Sequence, residues 1–169
     1  MLHATRLLAG ALVMAFVPDA SARPPDDIAA FRIDKSQNKN QVQYTVRVDD
    51  KCSPAGPAPV RAYWRMLERG PSATEPLTEG EAKLLGVERQ DADGNSVRIV
   101  LRGFPSRPVT IRTERDAAGG CTASASMTIE GEDARLHDVY VKLSLFGVSY
   151  VQLTGWTSAG RVVRERLTP

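Results

Sequence analysis

Apolar and polar residues alternate with a period of two along most of this chain, the pattern of half-buried β-strands. Val42, Tyr44, Val46 and Val48 alternate with Gln43, Thr45 and Arg47, and Val60, Ala62, Trp64 and Met66 with Arg61, Tyr63 and Arg65. Phe31 and Ile33 share one face of a shorter strand just upstream. The pattern returns at Val97, Ile99 and Leu101, then at Val109 and Ile111, Met127 and Ile129, and Val139, Val141, Leu143 and Leu145. Val151 and Leu153 follow, and Val163, Glu165 and Leu167 close the chain. Asp93-Gly94, Gly119-Gly120, Glu130-Gly131 and Ala159-Gly160 separate these runs as turns, while 51–59 and 70–76 read as loops. One helix is expected. Thr78-Glu79-Gly80-Glu81 fits a capping box, Ala82, Leu84 and Leu85 can pack, and Gly86 can end the turn. Many short strands with one short helix predict an all-β fold, an antiparallel β-sandwich or open barrel.

The first 22 residues do not fit that pattern. Arg6 is followed by the apolar run 7–17 and by Ala20-Ser21-Ala22, the order of a secretory signal peptide with its cleavage site. Residues 23–29 then read as a polar, flexible lead-in and 30–169 as a single domain. The expected location is outside the cytoplasm, periplasmic or secreted. No later apolar run is long enough to cross a membrane as a helix, so no transmembrane segment is expected after cleavage. The net charge of +2 gives no general pull toward nucleic acid.

Export changes the reading of the two cysteines. In an oxidising compartment Cys52 and Cys121 are expected to form a structural disulfide, since their spacing is far from C-x-x-C. A zinc site using both thiols and His137 would need them reduced, against that compartment. No cofactor or metal is expected. The segment 91–95 has its glycine at the fourth place rather than the sixth of a calcium loop, so it reads as a hairpin turn. Beyond the leader, His137 is the only histidine, and no H-E-x-x-H, P-loop, G-x-G-x-x-G or complete G-x-S-x-G occurs. An enzyme is therefore the less favoured reading.

Two surfaces remain. The polar run Lys35-Ser36-Gln37-Asn38-Lys39-Asn40 suits a turn, because asparagine and serine bond nearby backbone, and the same side chains read sugar hydroxyls or peptide amides. Arg61, Tyr63 and Arg65 share the outward face of one strand, and Arg98, Arg102 and Arg112 have similar positions on others. Neighbouring carboxylates would neutralise that basic face. Trp64 belongs with the core; Trp156, near a turn, is the better candidate for exposure.

The run Phe31-x-Ile33-x-Lys35-Ser36-x-Asn38-x-Asn40-x-Val42-x-Tyr44, with Pro59-Val60, Tyr63-Trp64 and 75–78, resembles the bacterial domain-of-unknown-function family 4833. A weaker likeness runs through Val139-Tyr140-Val141 to the C-terminus. Leu85-Gly86 stands where that family usually has tyrosine-glycine, and the cysteine pair does not look like a family feature. The resemblance implies an exported domain and supplies no catalytic residue. The resulting expectation is a non-catalytic binding or envelope-associated module that contacts a small molecule, glycan or envelope protein through Ser36, Asn38 and Asn40, with Tyr63 and Arg65. The alternative is a hydrolase of cell-envelope material, which requires carboxylates or His137 to converge with Ser36 or Asn38 in one cleft.

Overall fold

A computed structural model describes residues 26–145 and 147–168; the expected leader and the first part of the lead-in lie outside the described residues. Eleven strands and one helix follow one another in the order β1 (Asp26–Lys35), β2 (Gln41–Val48), β3 (Val60–Arg65), β4 (Thr74–Pro76), α1 (Glu79–Leu85) and β5 (Val87–Asp93). The series continues with β6 (Ser96–Leu101), β7 (Phe104–Arg115), β8 (Cys121–Ile129), β9 (Glu132–Ser144), β10 (Gly147–Thr157) and β11 (Val162–Leu167). Strand β1 takes in the last residues of the expected lead-in.

All eleven strands form a single sheet, ordered β4-β3-β2-β1-β9-β8-β7-β6-β5, with β10 and β11 branching from β9. The branch arises because β9 changes neighbours along its length. Its start pairs antiparallel with β8, over Glu132–Arg135, and its later part pairs parallel with β1, Val139 to Val141 facing Ile33 to Lys35. Strand β10 follows the other edge of β9 from Ala134 to Ser144. The β1–β9 pair is parallel where an antiparallel sandwich was expected; the architecture is otherwise the all-β, sandwich-like one.

The curved sheet folds over one continuous core that includes Val42, Tyr44, Val46, Val97, Ile99, Ile111, Ile129 and Leu153. These are the inward positions of the period-two pattern. Tyr44 is fully buried and stacks on Phe31, its partner across β1–β2, with ring centroids 4.3 Å apart. Its hydroxyl donates to the carbonyl of Leu85 at 2.7 Å, tying α1 to the sheet. Burial pushes the phenol far above its ordinary pKa, so it acts as a donor at any working pH.

The two ends of the molecule differ. At one end Cys52 and Cys121 form a disulfide with Cα atoms 5.4 Å apart, joining the β2–β3 loop to the start of β8. Ser53 bonds Asn95 there at 2.9 Å, and Arg115 reaches the carbonyl of Asp50. Loops from both halves of the sheet are thus stapled together. At the other end, where β1, β3, β6 and β9 finish, the sheet stays open.

Candidate functional site

The polar run after β1 folds as a set of backbone clasps. The Ser36 amide donates to the carbonyl of Val141 at 3.0 Å, and its hydroxyl accepts from the amide of Leu143 at 3.0 Å. Asn38 accepts from the amide of Asn40 at 3.1 Å, the Asx turn that its side chain favours. Asn40 is buried, and its side-chain oxygen accepts from the amide of Glu68 at 3.2 Å. These residues fasten β1 to β9 and to the turn after β3. Tyr63 and Arg65 do not join them. Both point to the face of β3 opposite Trp64, where they lie in register with Gln43 and Gln41. Arg98 and Arg112 sit on β6 and β7, on the far side of β5, and Arg98 lies in register with Asp91.

The concave site is at the open end of the sheet. A groove of about 460 Å³ runs between α1 and the β9–β10 hairpin, within the roughly 300–1,000 Å³ of sites that hold a small molecule. One wall is Leu84 and Leu85 of α1 with Gly103 of the β6–β7 turn and Phe104 at the start of β7; the other is Val141, Leu143 and Val148. Ile33, Val42 and Trp64 extend its lining into the core.

Local chemistry accounts for both walls. Thr78 and Glu81 cap α1 reciprocally: the Glu81 carboxylate accepts from the Thr78 amide at 2.8 Å, and the Thr78 hydroxyl accepts from the Glu81 amide. At the helix end the amides of Gly103 and Arg102 donate to the carbonyls of Leu84 and Gly86 at 2.8 and 3.0 Å. A Cβ on Gly103 would come within 2.7 Å of the Leu84 carbonyl oxygen, so only glycine lets the turn approach this closely. The opposite wall is bare because Ser36 ends β1 against Leu143, and the hairpin runs on past it. Leu84 was expected to pack but is 60% exposed, beside the mouth, where Val148 is 38% exposed.

Two charges stand at one end of the groove. The Lys35 ammonium lies 4.2 Å from the centre of the Trp64 ring. Desolvation pushes the Glu81 carboxyl up, but hydrogen bonds from the Thr78 backbone, the Trp64 indole and the Thr78 hydroxyl, with the charge of Lys35, outweigh it and hold the group below its ordinary value. Beyond these residues a second, polar pocket of about 220 Å³ takes in Asn38, Asn40, Glu75 and Thr78. Trp64, Lys35 and Glu81 line both spaces. Lys35 was the readable signal: it follows Phe31 and Ile33 at a spacing of two, a charge placed on an apolar face.

Two carboxylates, Glu75 and Glu81, share the polar pocket with Asn38, the convergence that the hydrolase alternative asks for, but Glu81 is engaged by the helix cap and Glu75 by Arg69. A second pair lies elsewhere. Asp34 and Asp138 meet on the face of β1 and β9 opposite the groove-lining Ile33 and Val141, beside a bulge at His137. Burial and then the hydrogen bond and charge of Asp34 push the Asp138 carboxyl up, while Arg32 and His137 partly oppose this. His137 packs edge-on against Trp156, which is 46% exposed. Neither carboxylate of this second pair, nor His137, shares a cleft with Ser36 or Asn38. Among the described residues no group of three or more His, Cys, Asp or Glu side chains could hold a metal ion. Nor is any described helix long and apolar enough to cross a membrane.

A family model for a domain of unknown function (DUF4833) matches residues 31–166, nearly the whole described chain. The chain belongs to that family. No curated protein and no solved structure matches it. The DUF4833 match begins at Phe31 and ends at Arg166, so it includes both walls of the groove and the clasps at Ser36, Asn38 and Asn40.

Proposed function

We propose that this DUF4833 protein is an exported, non-catalytic binding module that takes the apolar part of a small molecule into the groove between α1 and the β9–β10 hairpin. One observation carries the reading: a concave, largely apolar cavity of about 460 Å³ opens beside exposed Leu84 and Val148. Apolar surface left facing water in a concavity is unfavourable, and an apolar ligand relieves that cost. Anchoring at Tyr44, Gly103 and Ser36 holds both walls in place before a ligand arrives, which reduces the ordering cost of binding. The leader-like residues 6–22 and the Cys52–Cys121 disulfide support export to an oxidising compartment. An envelope-associated role is part of this proposal and is compatible with that location.

The test is a titration with N-phenylnaphthylamine, an uncharged apolar dye that brightens on leaving water. Saturable one-to-one enhancement is expected, and Val148→Glu at the exposed mouth abolishes it without lowering the unfolding midpoint. Unsaturable enhancement, or equal binding by the variant, would overturn the reading.

A further inference from the structure

The groove does not end in an apolar wall. Its end is formed by Lys35, Trp64 and Glu81, which also line the polar pocket, so one molecule reaching across these side chains would have an apolar tail in one space and a polar head in the other. The charges around that head position cancel. Lys35 stands opposite Glu81, and Glu75 is paired with Arg69 at the rim. A charged head would find a site with no net opposite charge and would still lose its hydration, which is strongly unfavourable. Side chains here both donate and accept: Lys35 and Asn38 offer donors, while the Thr78 hydroxyl gives its proton to Glu81, and the carboxylates of Glu75 and Glu81 offer acceptors. Hydroxyl groups match such a mixed lining because each can donate and accept.

Resting on the groove reading above, we infer that the ligand is a single amphiphile with one apolar tail and an uncharged, hydroxyl-bearing head of the glycolipid type. The tail lies between Leu84 and Val148, and the head lies beyond Trp64. The indole of Trp64 borders both parts, so its emission reports occupancy.

The experiment uses the mature protein carrying Trp156→Phe, which leaves Trp64 as the only tryptophan. Octyl glucoside, octyl sulfate and octyltrimethylammonium, which share a tail, are titrated below their micelle thresholds. The glucoside is expected to shift Trp64 emission saturably and to bind about tenfold more tightly than either charged analogue. Glu81→Gln, which preserves the helix cap, leaves Lys35 unopposed and should move the preference toward the sulfate. Equal binding of all three would overturn the head-group inference and leave the groove reading intact. A preference for either charged head in the parent protein would also overturn it. Binding of none, or only above the micelle threshold, would remove both.

Discussion

The side-chain amide of Gln90 brackets the backbone of Val60: it accepts from the Val60 amide at 2.7 Å and donates to the Val60 carbonyl at 3.0 Å. Val60 is buried, and it lies on the edge of β3 beyond the residues that β4 covers. Strand β5 is the last strand at the other end of the sheet. One glutamine therefore takes the place of a backbone ladder between β3 and β5, bringing the sheet's ends together without closing it into a barrel. Gln90→Ala would leave a buried amide and carbonyl unpaired, a loss of about 1–3 kcal/mol. Denaturant unfolding measures it, and a loss below about 0.5 kcal/mol, the range of an ordinary surface change, would contradict this role.

The asparagines of the polar run should behave unequally. Asn40→Ala removes the partner of the Glu68 amide from a buried position and should cost about 1–2 kcal/mol; Asn38→Ala, which loses only an Asx turn, should cost less. Thermal unfolding of the two single variants compares them. Equal midpoints would show that the clasp to Glu68 does not support the fold.

Reducing the Cys52–Cys121 bond, or replacing both cysteines with serine, reopens a loop of 69 residues and should cost about 4 kcal/mol in the chain-entropy model. The staple lies at the end of the sheet opposite the groove. Dye binding by the reduced, still folded protein should therefore be unchanged, and a parallel loss of binding would contradict the separation of the two ends.

Two carboxylates should give opposite pH responses. The hydrogen bonds from Arg107 and from the Glu130 amide, with the charge of Arg107, hold Glu165 below its ordinary value despite some burial. Its stabilisation is present above the unfolded-state pKa and is lost as pH falls through the folded-state value. Glu165→Gln should be less stable than the parent at pH 7 and converge with it in acid. Asp138 is raised, so its contribution is present below the unfolded-state pKa and lost as pH rises through the folded-state value. Asp138→Asn should be more stable than the parent at pH 7, with the advantage shrinking as pH falls. Midpoints measured from pH 7 down to 3 separate the two, and parallel curves would contradict both assignments.

The legible parts of the fold are those where one face of an element is buried and the other is wet. Strand β3 and the first half of β6 alternate in burial, and Thr78 and Glu81 announce α1 through backbone chemistry local to the helix. Strand β2 alternates in residue type, but the sheet covers both its faces, so Gln43 and Thr45 are buried with Val42, Tyr44 and Val46. Strand β5 was not legible, because Glu88, Arg89, Asp91, Ala92 and Asp93 are exposed on an edge and leave no apolar stripe to read. The branch at β9 was also hidden: alternation tells which side chains point inward, not which strand lies alongside. The site was legible only at its polar rim. Asn38 and Asn40 border the second pocket, but the groove draws alternate residues from eight elements, each of which reads in sequence as ordinary core. What separates Leu143 and Val148 from core positions is that β1 stops at Ser36, a tertiary event with no local sign.

The most direct test of the account maps octyl glucoside onto the folded protein by amide chemical shifts in a labelled sample. Saturable shifts are expected at Lys35, Trp64, Leu84, Gly103, Leu143 and Val148, with little change at Cys52, Asn95 and Cys121. Shifts centred instead on Tyr63 and Arg65 or on Asp138 and Trp156, or none at saturating ligand, would contradict it.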